Sequence, residues 1–320
     1  MFFQEIIKMA KVVRFTFRAL SPSTLFPESY TIFGAICWGI KILFGEKDLK
    51  NLLERFKESP PFILSSPLFV SEKGLLFPKP ILEGGWPEDQ SLEDYTLRKK
   101  IKRVKFINEE TFKAILDGKI KTEYELSRNI SESIQNPYEE VNTVHAKINR
   151  ITWTTTEGNL YNETIFYVSL PFSVFVVFFE DDLIDKVIAS LKFTQIGGNR
   201  STGMGVYKIE FEEYNGWLKE YINGKGKRFI SLSPHFYDKA YNLEDSFFDI
   251  FPYMGVVDNY YEVIIPNIWK KRVLYIDKGS NIRIKEKRNI YGEFKEVLKD
   301  KGKSVYQYGY AFPVFARWEE

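Results

Sequence analysis

The chain has 320 residues, of which 44% are hydrophobic and 17% aromatic, and its formal net charge is +2. This composition excludes an intrinsically disordered protein and a uniformly basic nucleic-acid binder, so phosphate binding would depend on local patches. The single cysteine, Cys37, excludes a disulfide framework and fits a reducing, cytoplasmic location. The apolar stretch 165–179 is too short for a membrane span, and we expect no membrane association.

The first part of the chain reads as a strand followed by a helix. Residues 12–20 alternate between apolar and polar side chains, which is the pattern of a half-buried strand, and its polar face carries Arg14 and Arg18. Residues 29–44 form a mostly apolar run that ends at Gly45, which predicts a helix.

The next part combines short strands with a long irregular segment. Apolar runs at 62–66 and 74–77, bounded by prolines, predict an antiparallel hairpin. Periodicity is then lost near residues 80–158, which we interpret as an insertion. Within it, residues 108–117 have helical spacing, and the basic run 98–105 (RKKIKRVK) is either a phosphate-binding patch or a solvated face.

Regular patterns resume after the insertion. Residues 160–179 are rich in strand formers and are broken by Pro171, residues 180–192 have helical spacing, and 205–213 form a further strand. The resulting order of strands and helices is that of a ferredoxin-like fold, which gives an α+β class and a first domain at 1–213. A second, less regular unit of similar type is predicted at 214–320, with strands at 228–233, 251–257, 273–277 and 306–315.

Residues 197–205 (GGNRSTGMG) form a glycine-rich loop between the last helix and strand of the first domain. Its glycines and hydroxyl residues could expose backbone N–H groups to a phosphate, or could simply permit a tight turn. A nucleoside-triphosphate loop would carry Lys and Ser or Thr after Gly203, where this chain has Met204 and Gly205, so that function is excluded.

His145 is one of two histidines and is followed by Lys147 and Arg150. It is a candidate for general acid–base chemistry or for an RNA contact, and no nucleophile or second base accompanies it in the sequence. No spacing of His, Cys and Asp indicates a metal site, and we expect no cofactor. The aromatic segment 306–318 is assigned to packing rather than to base stacking.

Taken together, these features resemble the RAMP superfamily of CRISPR proteins, whose hallmark is a glycine-rich loop after the last helix of a ferredoxin-like domain. The run HAKINR from His145 to Arg150 and segments 26–45 (FPESYTIFGAICWGIKILFG), 61–67 (PFILSSP) and 308–313 (YGYAFP) are similar, more narrowly, to the family of fourth subunits of type III-A Csm complexes. These pieces occur in the expected order over nearly the whole chain.

The resemblance implies two ferredoxin-like (RRM-like) domains, with a thumb-type β-hairpin in the insertion of the first. It also implies a non-catalytic subunit that binds the repeat-derived 5′ handle of CRISPR RNA (crRNA) and contacts the large polymerase-like subunit and the backbone RAMP subunit. The alternative is a metal-independent RAMP endoribonuclease that uses His145. The residues that the resemblance assigns to RNA contact are Gly197, Gly198, Arg200, Ser201, Thr202, His145 and Arg150, with Arg14, Arg18, Ser29 and Tyr30 in the first strand and helix.

Overall fold

The computed structural model describes residues 10–130, 136–257, 269–300 and 303–318. Over these residues the chain is a mixed α/β protein. Its helices are α1 (Ser29–Phe44), α2 (Glu46–Glu58), α3 (Leu92–Arg103), α4 (Glu109–Leu116), α5 (Glu123–Asn129), α6 (Ile184–Phe193) and α7 (Leu218–Ile222), with short 3-10 helices at Asp181–Leu183 and Arg200–Thr202. Its strands are β1 (Lys11–Ala19), β2 (Phe62–Leu64), β3 (Leu68–Ser71), β4 (Gly74–Pro78), β5 (Phe106–Asn108), β6 (Tyr138–Ile148), β7 (Thr155–Val168), β8 (Phe172–Phe178), β9 (Tyr207–Glu213), β10 (Arg228–Ser231), β11 (Tyr241–Phe247), β12 (Ile250–Tyr253), β13 (Val273–Ile276), β14 (Asn281–Ile284), β15 (Gly292–Asp300), β16 (Lys303–Tyr310) and β17 (Pro313–Phe315).

The main sheet has seven antiparallel strands in the order β5-β4-β3-β8-β1-β9, and β2 also pairs with β8. The predicted strand at 12–20 is confirmed as β1, which lies between β8 and β9. Phe15 and Phe17 are fully buried on one face of β1, and Phe17 stacks on Phe172 of β8 with 4.9 Å between ring centroids. The opposite face carries the polar side chains, as alternation requires.

Helices α1 and α6 pack side by side. The predicted helix at 29–44 is confirmed with the same bounds, and it ends where Gly45 adopts a φ of 95°. At Gly39 the two helices approach so closely that an added Cβ would lie 2.5 Å from the Cβ of Ser190, whereas an added Cβ at Gly34 would meet nothing within 4 Å. Gly39 therefore sets the spacing between α1 and α6.

The predicted hairpin between 62–66 and 74–77 is wrong in one strand. β4 pairs with β3 through a turn at Glu72 and Lys73, and β2 pairs instead with β8. All three residues of β2 are buried, and among the described residues β2 pairs with β8 alone, on the side of β8 that β3 also occupies. Pro67 separates β2 from β3.

Strands β6 and β7 form a long antiparallel hairpin. Among the residues that the structure describes, its one further pairing is a bridge between Ser23 and Phe166. The prediction that the main fold resumes at residue 160 is therefore wrong, because residues 160–168 belong to this hairpin. After this hairpin, the chain returns to the main sheet beyond Pro171, at β8. The hairpin turn is exposed, with Ile151 90% and Trp153 83% accessible.

The later strands form a four-stranded sheet in the order β11-β14-β10-β17 and two hairpins, β12–β13 and β15–β16. The described residues after 214 contain one helix, α7, of five residues. The assignment of the aromatic segment to packing agrees with the burial of Tyr308 and Tyr310. The backbone N–H of Leu64 in β2 donates to the Tyr308 hydroxyl oxygen at 2.8 Å, and the Tyr310 hydroxyl donates to Phe56 O at 2.8 Å.

One hydrophobic core thus extends from the main sheet into the later strands. It includes Phe15 and Phe56 from the first half of the chain and Leu232 and Phe312 from the second. No helix within the described ranges is long and apolar enough to cross a membrane. Within the same ranges, no group of three or more His, Cys, Asp and Glu side chains could hold a metal ion.

Candidate nucleic-acid interface

The glycine-rich loop, residues 197–205, has a backbone that few side chains would tolerate. Gly197, Gly203 and Gly205 have φ values of 103°, 86° and 72°, and Asn199 adopts the left-handed conformation at φ 52°. A hydrogen bond from Ile196 N to Gly205 O, at 2.9 Å, closes the loop at its base. Glycine is the residue that reaches these conformations without steric cost.

The turn at residues 21–25 supports the loop from below. Gly205 N donates to Pro22 O at 2.8 Å, and the Ser23 hydroxyl lies 2.7 Å from the position of an added Cβ at Gly197. An added Cβ at Gly198 would lie 2.7 Å from Thr24 Oγ1. Both glycines therefore allow the loop to rest directly on this turn, so part of their role is structural.

The loop also presents unpaired backbone donors. Within the described part of the chain, the N–H groups of Gly197, Gly198, Asn199 and Ser201 donate to no other group, whereas Thr202 N and Gly203 N close the 3-10 turn onto Asn199 O and Arg200 O. Consecutive N–H groups in a turn that includes a left-handed residue form a concave site for anions. The loop can therefore receive a phosphate through its first half, where Arg200 adds a positive charge.

Glu163 on β7 joins the loop to the hairpin. Its Oε1 accepts a hydrogen bond from Asn199 Nδ2 at 2.6 Å, and its Oε2 lies 3.4 Å from His145 Nε2 on β6. The Thr143 hydroxyl donates to Glu163 O and lies 3.0 Å from the same His145 nitrogen. The structure thus brings two predicted elements, the loop and His145, to a single carboxylate.

His145 is partly exposed and its ring stacks on Tyr161, with 5.2 Å between centroids. Its register partner on β7 is that same Tyr161. An exposed stacked pair of this kind offers flat surfaces to an unpaired base. The Nε2 atom of His145 is meanwhile in contact with Thr143 and Glu163. The geometry fits an RNA contact better than a proton-transfer role.

Arg150 lies at the other end of the hairpin. It is in the exposed turn after β6, five residues beyond His145, which corresponds to about 16 Å along an extended strand. Trp153 in this turn has a φ of 55°. Arg150 therefore does not share a site with the loop, although both belong to one continuous edge of the molecule.

The two predicted arginines of β1 differ in their surroundings. Arg14 Nε donates to Ser173 Oγ at 2.9 Å, and Arg14 also forms an ion pair of 3.5 Å with Glu212. Arg18 is exposed, and it is the arginine closer to the end of β1 that leads into the turn at 21–25. Arg18 is thus open to a ligand near the loop, whereas Arg14 is engaged in the sheet.

Ser29 and Tyr30 begin α1 and lie deeper than the sequence analysis expects. Ser29 is fully buried, and its backbone N donates to Ser66 Oγ at 3.3 Å, so it supports the helix start from inside the fold. The Tyr30 ring packs between Tyr253 and Tyr275, at centroid distances of 4.7 and 5.2 Å. Tyr30 therefore faces a cleft formed with the later strands rather than the loop itself.

Two residues of this interface, Asn199 and Glu163, are not among the predicted contacts. Asn199 lies inside the loop motif, and its left-handed conformation is a known preference of asparagine, so the sequence did contain that signal. Glu163 gives no local signal. Its position follows from the register of β6 and β7, which places Glu163 opposite Thr143.

Comparisons with known proteins give similar sequences and similar folds. No family model matches the chain. It is 27% identical over 198 residues to the CRISPR system protein Csm4 of Thermococcus onnurineus (strain NA1), covering 58% of this chain and 63% of the relative. It is 26% identical over 146 residues to Csm4 of Streptococcus thermophilus, covering 45% of this chain and 44% of the relative. The matched regions thus span less than two thirds of either relative.

Solved structures show the same fold at lower identity. One chain of a crystal structure of a Csm1–Csm4 cassette in complex with pppApA aligns with a TM-score of 0.61 and 18% identity, over 97% of this chain and 99% of that one. A chain of a Csm3–Csm4 subcomplex of the type III-A CRISPR-Cas interference complex aligns with a TM-score of 0.56 and 18% identity, over 93% and 98%. The chain is thus similar to Csm4 proteins in sequence and in fold, which confirms the resemblance to the fourth-subunit family of Csm complexes.

Proposed function

We propose that this protein is a cytoplasmic, non-catalytic subunit of a type III-A CRISPR interference complex that binds the 5′ handle of crRNA. The observation that carries the proposal is the set of unpaired N–H groups at Gly197, Gly198, Asn199 and Ser201, which lies beside a long hairpin. Proteins grip single-stranded RNA through backbone amides and basic side chains on phosphates and through aromatic side chains on bases. Arg200, Arg18 and the stacked pair His145–Tyr161 supply those groups around the loop.

The fold supports the finer domain assignment. The order β9-β1-β8-β3 with α1 and α6 follows the strand–helix sequence of a ferredoxin-like unit, for residues 1–213. We assign the thumb of this unit to the hairpin β6–β7. For residues 214–320, the sheet β11-β14-β10-β17 serves as the centre of the second unit, which departs from the full pattern in its described helices.

We also propose that the protein connects two neighbouring subunits of the complex, the large polymerase-like subunit and the backbone RAMP subunit. The solved relatives occur in complexes that contain Csm1 in one case and Csm3 in the other. The exposed apolar side chains of the hairpin turn, Ile151 and Trp153, give this end of the protein a surface suited to burial by a partner.

Binding of labelled crRNA, with and without its 5′ handle, tests the proposal. The protein is co-expressed with its large-subunit partner, and affinity is measured at two salt concentrations. We expect handle-dependent binding that weakens with salt, and an Arg200→Ala variant that binds about tenfold more weakly with a smaller salt dependence. Arg288→Ala, which removes an exposed arginine paired with Glu286 in the second half, is the matched control.

Two results would contradict the proposal. Equal binding of both RNAs would indicate a general RNA surface rather than a handle site. Cleavage of a repeat RNA by the purified protein, abolished by His145→Ala, would favour the endoribonuclease alternative, for which the pairing of His145 with Glu163 is the supporting contact.

A further inference from the structure

A cleft of about 360 Å³ opens next to the turn that supports the glycine-rich loop. Leu25 and Phe26 of that turn line one side of the cleft, and the later strands line the other side. An added Cβ at Gly197 would lie 3.8 Å from the Cβ of Leu25, so the cleft and the loop are direct neighbours. The volume is in the range of sites that hold small organic groups.

The walls of the cleft are largely aromatic. Tyr30 and Tyr253 contact each other, with 4.7 Å between ring centroids, and Phe26, Phe166 and Phe251 also line the cleft. A planar ligand would therefore pack against the parts of these rings that line the cleft, as unpaired bases pack against aromatic side chains in RNA-binding proteins. The cleft is thus shaped for a flat, partly apolar group.

The charged groups in the cleft are two carboxylates and one ammonium. Lys278 Nζ donates to Glu28 Oε1, while Glu28 Oε2 is buried with no hydrogen-bond partner in the described part of the chain. Asp277 Oδ1 accepts from Lys278 N at 2.7 Å, and its burial raises the pKa of the carboxyl. A buried carboxylate oxygen without a donor is costly, so an incoming N–H group would be bound favourably.

We propose that this cleft binds one nucleobase turned out of the bound RNA, and that the base is guanine. Guanine presents two adjacent donors, N1–H and N2–H₂, which match the carboxylates of Glu28 and Asp277, and an acceptor, O6, which matches Lys278. Adenine and cytosine each present a single amino donor, and uracil presents one imino N–H between two carbonyls. This inference rests on the proposed function, because the loop would hold the phosphate beside the base.

The test uses the full chain and the four mononucleotides GMP, AMP, CMP and UMP as probes in equilibrium titrations. We expect GMP to bind about tenfold more tightly than UMP, which corresponds to one good two-point base contact. Asp277→Asn should remove the preference for GMP, since an amide no longer accepts both donors. The matched control is Glu244→Gln, which alters an exposed carboxyl on β11 that does not line the cleft.

The titration of the unmodified protein decides the question even if a variant fails to fold. Equal affinities for the four nucleotides, a preference for another base, or a GMP preference that survives in folded Asp277→Asn would each overturn the inference. The handle experiment with Arg200→Ala is independent of it. Handle-dependent binding without base preference refutes only the guanine cleft, and GMP preference without handle dependence refutes only the handle-binding role.

Discussion

Acidification should destabilise this protein through His235, a buried histidine in the second half of the chain. The His235 ring is fully buried, and Nδ1 donates to Ser233 O at 3.1 Å, which leaves Nε2 as the unprotonated nitrogen. Nε2 has no hydrogen-bond partner among the described residues. A proton placed there would be buried without an acceptor, and this desolvation lowers the pKa of His235 from 6.5 to about 4.

The sign and size of the effect follow from this difference. The unfolded chain takes up the proton near pH 6.5 and the folded chain only near pH 4. The contribution of neutral His235 to the free energy of unfolding is therefore complete above pH 6.5 and is lost as the pH falls towards 4. The gap of about 2.5 pH units, at about 1.4 kcal/mol each, amounts to roughly 3–4 kcal/mol of unfolding free energy.

The assay is urea denaturation followed by tryptophan fluorescence at pH 7.5 and pH 4.5, for the wild type, His235→Gln and His145→Gln. Titration of carboxylates is common to all three proteins and cancels in the comparison. His145→Gln leaves His235 in place and should keep the loss that His235 causes, whereas His235→Gln, although less stable at pH 7.5, should lose roughly 2–3 kcal/mol less on acidification. An equal loss in the wild type and in His235→Gln would refute the reasoning.

Two further predictions concern packing and the interface. Gly39→Ala should lower the free energy of unfolding by about 1–3 kcal/mol because its Cβ would lie 2.5 Å from Ser190. Gly34→Ala, whose Cβ would meet nothing within 4 Å, should raise stability slightly. Thermal melts of both variants check this, and equal shifts in melting temperature would contradict it. Glu163→Ala should release Asn199 and His145, so amide hydrogen exchange in the loop at 197–205 should become faster at nearly unchanged overall stability. Glu140→Ala, an exposed glutamate on the same hairpin, is its control, and unchanged loop exchange in Glu163→Ala would show that this carboxylate does not hold the loop.

The main sheet was the part of the fold most accessible to sequence reasoning. β1 and α1 each bury one face, so their side chains carry a clear period, and Gly45 marks the end of α1 by a backbone angle that other residues rarely adopt. The hairpin β6–β7 has no such period because it leaves most of β6 exposed on both faces. Its two strands are held together by hydrogen bonds to each other. Such pairing leaves no alternation of apolar and polar residues by which the sequence could predict it.

The candidate interface was predictable to a similar, limited extent. The glycine-rich loop was found because positive φ angles demand glycine, and that demand is written in the local sequence. Glu163 and Asp277 were not found, since each acquires its neighbours only through contacts between distant segments. Ser29 was assigned to RNA contact by analogy with the family's first helix, but it is fully buried and its backbone N donates to Ser66 Oγ.

The bond between Tyr308 and Leu64 has a consequence for how the protein is made. The two residues are 244 positions apart, yet this contact and its neighbours complete the core around β2 and α2. At about 5–20 residues per second, a ribosome needs roughly 10–50 seconds to move from one to the other. During that interval the apolar side chains around β2 and α2 lack the part of their covering that β16 supplies, which leaves them exposed to aggregation until synthesis is nearly complete.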